Sequence, residues 1–250
     1  MYQDIVINSP ATMINAIRQN GFIPFFKCGI TGWSVEEMTD PGYWFMSSDH
    51  LGPWDWKIDV VREGDIAYGK FLGGAAGFAT MEFYRHLMNY RRSLPKSRVV
   101  LGETVEATKQ NEILMKELAP AAFNTIRERG AVESREIREM LTRVVSPQLL
   151  ESVTPSCRAN LSPVVKKSIS DTVISFLEMG TWTVVADFTR VYRGKNLEYN
   201  GWQKSIITTP DELFEPSLSV DCTPEESRRF LINHLLKSFP DQIKRIEKII

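Results

Sequence analysis

Four of the six tryptophans lie between Trp33 and Trp56, and the last two flank a carboxylate in the tripeptide Trp54-Asp55-Trp56. Beyond them come Lys70 and the pair Arg91-Arg92. Indole faces beside Asp, Lys and Arg suit a pocket for a flat polar ligand, such as a nucleobase. The pocket candidates are therefore Trp33, Trp54, Trp56, Lys70, Arg91 and Arg92. In such a pocket Trp54 or Trp56 stacks on a ring, Asp55 accepts a hydrogen bond from an exocyclic amine, and Lys70, Arg91 or Arg92 holds a phosphate. Of the acids in this tract (Asp49, Asp55, Asp59, Glu63 and Asp65), Asp55 and Asp59 are the candidates for a general base. The opposing reading of the same residues is a half-buried sheet with indoles at its rim. Trp56 to Val61 alternates like a strand, which would put Trp54 and Trp56 on one face and Asp55 on the other.

A second set of cations lies further along. Three helical segments followed by a hairpin is the order of a winged helix, whose third helix enters the major groove while its wing touches the backbone. Lys166 and Lys167 would stand on that third helix, with Arg190, Arg193 and Lys195 on the wing. Five cations there could neutralise several phosphates, although Asp171, Glu178 and Asp187 sit among them.

The elements that must position these residues follow from local punctuation. Ser9 and Pro10 open a first helix and Gly21 stops it. Phe22 to Phe26 reads as a short strand, and Ile66–Leu72 with Ala75–Ala79 as a hairpin turning at Gly73-Gly74. Thr80 caps a helix striped by Phe83, Tyr84, Leu87 and Met88. The polar run from Gly102 to Glu112 marks a boundary. A helix from about Ile113 to Arg129 contains Pro120, Ser134 caps another, and a connection with Pro147, Pro155 and Cys157 leads to a third from Ser162-Pro163 to Gly180. Strands at Trp182–Phe188 and Leu197–Ile207 flank the turn Arg193-Gly194-Lys195. Thr223, Pro224 and Glu226 form a capping box for a helix carrying Phe230, Leu231, Leu235 and Leu236, and Ile243, Ile246 and Ile249 mark a last one. The expected class is α+β, with an N-terminal α+β unit over 1–105, a winged-helix domain over 106–216 and a helical extension over 217–250.

Composition narrows the function classes. Thirty basic and thirty-one acidic side chains leave a net charge of −1, so nucleic-acid binding must come from a local basic patch. Cys28, Cys157 and Cys222 are odd in number and far apart, which fits a reducing cytoplasm rather than a disulfide framework. The three histidines are scattered, no CxxC occurs, and no metal or cofactor is implied. The glycines at 69, 73, 74 and 77 lack the Gly-Lys-Ser/Thr ending of a phosphate loop, and no G-x-S-x-G elbow is present. The start MYQDIVINSP has neither the basic region nor the apolar run of a signal peptide, and no apolar stretch is of membrane length.

The chain resembles the AlkZ-related family, relatives of the bacterial crosslink-repair DNA glycosylases. The resemblance is carried by GFIPFF, GPWDWKIDVV, IAYGKF, FYRHLMNYRR, ESREIREML, KKSISDTVISFLEMG and NGWQKS, and spans about residues 10 to 215. It implies a tandem winged-helix arrangement with duplex or damaged DNA as partner. The full glycosylases carry a Gln-x-Gln or Gln-x-Asp pair that activates water for base excision. Here the matching region reads FIPFFKCGITGW, with Gln19 alone before it, so that pair does not carry over. Three functional expectations result: a DNA- or nucleobase-binding relative of the glycosylases, an active glycosylase using an acid such as Asp55 or Asp59, or a protein-interaction or ligand-sensing module without nucleic acid.

Overall fold

The first helix begins where its capping chemistry is complete. Ser9 Oγ accepts the Thr12 N–H at 3.2 Å, and Thr12 Oγ1 accepts the Ser9 N–H at 3.0 Å. With Pro10 at the first helical position, α1 runs over Pro10–Asn20. Gly21 ends it at φ 73°, against the Phe83 ring, where an added Cβ would lie 2.2 Å from the nearest carbon. The computed structural model describes residues 6–47, 50–103, 110–144, 163–214 and 218–250, with the backbone alone over 110–113 and 163–167. Asp49, Pro147, Pro155 and Cys157 lie outside the described residues, as do the side chains of Lys166 and Lys167.

After β1 (Phe22–Pro24) come two single-turn helices, α2 (Val35–Met38) and α3 (Pro41–Trp44), and then α4 (Pro53–Arg62). The strand expected over Trp56–Val61 is instead the body of α4. Gly52 supplies an extended cap, Pro53 pre-sets the first helical φ, Asp55 is a first-turn acid and Arg62 a last-turn base. Residues 54, 56, 58 and 60 do alternate in type. The buried set nevertheless includes Asp55, Trp56, Lys57, Val60 and Val61, which a period of two cannot place together. The division of Trp54 and Asp55 onto opposite sheet faces therefore does not arise.

The hairpin of β2 (Ile66–Leu72) and β3 (Ala75–Thr80) turns at Gly73-Gly74, both at positive φ. β1 adds to β3, giving the antiparallel order β1-β3-β2. Thr80 occupies the cap position of α5 (Met81–Ser93), although its side chain makes no capping hydrogen bond.

A short 3₁₀ turn at Ser97–Leu101 precedes the second half. There α6 (Gln110–Arg129) continues through Pro120, and a three-residue strand β4 (Ala131–Glu133), which the sequence did not suggest, leads into α7 (Ser134–Val144). α8 (Pro163–Met179) is followed by the long hairpin β5 (Val184–Arg193) and β6 (Glu198–Thr208), in the antiparallel order β4-β6-β5. β5 starts at Val184, after Trp182, whose Nε1–H lies 2.7 Å from Ser97 Oγ and 3.0 Å from Ser97 O. The single turn α9 (Pro210–Leu213), α10 (Pro224–Leu236) with its Thr223–Glu226 capping box, and α11 (Ile243–Ile249) complete an α+β chain.

Two apolar clusters organise these elements. One gathers α1, the first sheet, α4 and α5, together with Val184, Val185 and Phe188 of β5 and Leu231, Leu235, Ile246 and Ile249 of α10 and α11. The other lies among α6, α7, α8, Trp182 and Ile207. The β5–β6 hairpin and α8 therefore face α4 and β2 across a seam, and the polar residues of interest lie along it.

Candidate functional site

Strand alternation on β6 sends Tyr199, Gln203 and Ser205 toward α4, while Lys204 on the opposite face pairs with Glu133 at 3.0 Å. The partner residues on β5 extend this face: Phe188 stands opposite Ser205, Arg190 opposite Gln203, and Tyr192 opposite Tyr199. From the other side of the seam, α4 contributes Trp54 and Lys57, β2 contributes Tyr68 and Lys70, and α8 contributes Glu178. Together they bound a half-open cleft of about 170 Å³. At ~30 Å³ per water that is room for about five waters or one small ring, below the ~300–1,000 Å³ of pockets for drug-sized ligands.

One wall is fixed by a hydrogen-bonded network. The Tyr199 hydroxyl donates a short hydrogen bond to Asp55 Oδ1. The Gln203 amide nitrogen lies 3.0 Å from the same carboxylate oxygen, 2.8 Å from the Tyr199 oxygen and 3.1 Å from the Trp54 carbonyl. Trp54 Nε1 in turn donates to the Gly201 carbonyl at 2.9 Å. Asp55 is 1% exposed, and this network meets its charge. Burial, with the Asp55 hydrogen bond behind it, pushes the Tyr199 hydroxyl up to about 12, so it stays a donor.

Lys57 is the least expected member. It is 1% exposed, and its Nζ has no hydrogen-bond partner among the described residues. That nitrogen rests 3.0 Å above the centre of the Trp54 ring and 4.8 Å from that of Phe188. Desolvation lowers its pKa to about 6, against the opposing pull of Asp55. Glu178 is displaced the other way. Burial raises it to about 7, although Lys70 opposes the rise and its N–H donates to Glu178 Oε2 at 3.0 Å. Lys70 Nζ donates to Ser175 Oγ at 2.9 Å. Gln203 Oε1, like Lys57 Nζ, is buried without a hydrogen-bond partner among the described residues.

The structure thus brings Trp54 and Lys70 to one cleft, with Asp55 directly behind it, and sends the other pocket candidates elsewhere. Trp33 is fully buried, edge-on to Phe22, with its Nε1 donating to the Phe22 carbonyl. Trp56 is buried in the first core, and Asp59 lies on the exposed face of α4. Arg91 is buried and donates to the carbonyls of Phe71 and Ile249. Arg92 binds the Thr181 carbonyl and reaches Asp211 at 3.7 Å, beside a separate groove of about 420 Å³. Among the hairpin cations, Arg190 lies 5.4 Å over the Tyr199 ring. Arg193 and Lys195 are exposed at the turn and form no salt bridge among the described residues. Large exposed aromatics elsewhere are Tyr192 and Trp202 on the hairpin, Phe26 after β1, Tyr43 in α3 and Phe45 just after it.

Lys57, Glu178, Tyr199 and Gln203 were not foreseen. Lys57 alone had a local signal: with Pro53 read as the first residue of a helix, Trp54 and Lys57 fall one turn apart on one side.

The fold and cleft define a class: an α+β protein with a small aromatic and polar cleft where α4 and β2 face α8 and the β5–β6 hairpin. The chain belongs to the AlkZ-related family, whose profile matches residues 7–250. No curated protein and no solved structure gives a match. Among the described residues, no helix is long and apolar enough to cross a membrane.

Proposed function

We propose that this protein is a DNA-binding relative of the DNA repair glycosylases, acting in the cytoplasm, whose cleft receives a nucleobase-like ring. The observation that carries the cleft reading is the pair of unsatisfied groups along its walls, Lys57 Nζ and Gln203 Oε1. Buried polar atoms without partners are rare in folded proteins and mark a place where something else supplies the hydrogen bond. A donor and an acceptor beside aromatic rings match the edge and face of a base.

The DNA half of the proposal rests on the hairpin. On this reading residues 106–216 act as a winged helix between the unit at 1–105 and the extension at 217–250. The helix order, with β4 pairing to β6, supports it. Arg193 and Lys195 at the turn contact phosphates, with Arg190 behind them and Lys166 and Lys167 on α8 as further backbone contacts. Tyr192 and Trp202 offer faces for stacking.

Binding to duplex DNA as a function of salt tests this directly. Each lost phosphate contact reduces the log–log slope by ~0.9, so the double variant Arg193→Ala/Lys195→Ala should lower it by about 2. Salt-independent binding, or none, would sink the proposal. If the protein also releases a base, Glu178 is the carboxyl that faces the cleft, whereas Asp55 is occupied by Tyr199 and Gln203. Single-turnover base release retained by Glu178→Gln would exclude that role.

A further inference from the structure

We propose that Lys57 is an amine nucleophile and that the cleft accepts an aldehyde, which Lys57 Nζ captures as an imine. The proposal rests on the reading of this cleft as a ligand site and names the chemical class of what enters it. Buried lysines that serve structure are paired with a carboxylate. Lys57 is not: Asp55 Oδ1 is engaged by Tyr199 and Gln203, and Nζ lies over the rings of Trp54, Phe188 and, at 6.0 Å, Phe25, with no hydrogen-bond partner among the described residues. Lys57 nevertheless forms part of the cleft wall. In the proposed reaction, rotation about its terminal side-chain bonds turns Nζ from the Trp54 face toward that space.

Enzymes make reactive amines by desolvating a lysine among apolar groups. With its pKa near 6, about nine-tenths of Lys57 is free amine at pH 7, against well under a thousandth of an exposed lysine. Glu178, which titrates near 7 and lines the same cleft, is then about half protonated and can both give and take a proton. The remaining cleft cation, Lys70, is held by Ser175.

The step balances without a redox partner. The Nζ lone pair forms a bond to the carbonyl carbon, and the carbonyl π electrons move to oxygen, which takes up the first of the two amine protons, relayed by Glu178, as a carbinolamine forms. Nitrogen then gives its remaining proton to Glu178, and the hydroxyl departs as water with a proton from the same carboxyl. One amine and one aldehyde give one imine and one water.

Trapping with cyanoborohydride tests this on the full-length protein, with two probes: glyceraldehyde, and a DNA duplex carrying one abasic site. The expected result is a reduced adduct that peptide mapping places on Lys57. At pH 7 it should form at least about tenfold faster than at any exposed lysine. Lys57→Met should abolish it, and Lys244→Met, on the exposed face of α11, should keep it. Circular dichroism and thermal unfolding of Lys57→Met separate loss of the amine from loss of the fold. An adduct from the duplex alone identifies the aldehyde as DNA-borne, and one from glyceraldehyde alone as a small molecule; either supports the proposal. Modification of Lys57 no faster than that of exposed lysines with both probes, or an adduct that persists at equal rate in Lys57→Met, overturns it. Duplex binding without reductant tests the DNA reading alone. Its absence removes that reading and leaves the glyceraldehyde result standing.

Discussion

Replacing Lys57 by Met should make the protein more stable, and by an amount that depends on pH. The ammonium of Lys57 is displaced from 10.5 to about 6, with burial as the main cause. At ~1.4 kcal/mol per unit, the full displacement is about 6 kcal/mol. Because the folded state binds fewer protons than the unfolded state between pH 6 and 10.5, the stability of the native protein rises with pH across that window. Methionine has no proton to lose, fills similar space and packs well on aromatic rings. Its advantage should therefore be about 6 kcal/mol at pH 6 and fall to about 2 kcal/mol at pH 9. Urea denaturation of both proteins in parallel at several pH values measures this. Parallel curves, or a variant less stable at pH 6, would refute the assignment of Lys57 as an unpaired buried amine.

Glu178→Gln should act with the opposite sign. The folded carboxyl keeps its proton up to about pH 7, so native stability falls as pH rises from 4.5 to 7, by up to ~3 kcal/mol, and the glutamine variant should lose that slope in the same denaturation series. Tyr199→Phe removes one of the two donors to the buried Asp55 Oδ1 and should cost about 1–2 kcal/mol in urea; an unchanged midpoint would mean the network is not formed in solution. Gly77→Ala places a Cβ 2.6 Å from Leu72 Cδ1 and 2.7 Å from the Ile23 carbonyl, in the central strand of the first sheet. A loss of at least ~2 kcal/mol is expected by thermal unfolding. Thr223→Ala breaks the capping box of α10 and should cost ~1 kcal/mol in the same assay.

Features set by neighbouring residues were legible in the sequence, and those set by distant packing were not. Ser9-Pro10 and Gly21 bound α1 as their chemistry requires, Gly73-Gly74 turns the first hairpin, and the Thr223–Glu226 box opens α10. In GPWDWKIDVV two signals compete. The alternation of Trp54, Trp56, Ile58 and Val60 suggests a strand, while Gly52-Pro53 and Asp55 suggest a helix start. The helix prevails because, with Pro53 at its first turn, it satisfies the backbone locally and still buries Trp56, Val60 and Val61. The cleft itself could not be read off the chain. Lys57 and Gln203 are separated by the whole of the second core, and they meet only because β6 alternation and α4 periodicity bring two inward faces together. A buried lysine is also the kind of residue that composition assigns to the surface.

The two proposed functions make different electrostatic demands, and the structure separates them in space. Lys57 titrating near 6 and Glu178 near 7 leave the cleft largely unionised around neutral pH. Such a cavity favours an uncharged ring or aldehyde over a phosphate, whose desolvation Lys70, already held by Ser175, would offset only in part. The exposed turn at Arg193 and Lys195 is the reverse case, a solvated pair of cations suited to a polyanion and indifferent to a neutral ring. One hairpin carries both, since Phe188, Gln203 and Ser205 lie at its cleft end and the cations at its tip. A small neutral ligand should accordingly bind with an affinity that scarcely changes with salt, while duplex binding weakens steeply as salt rises. If both responded to salt alike, the cleft and the tip would be acting as a single anion site, and Lys57 would have to be charged.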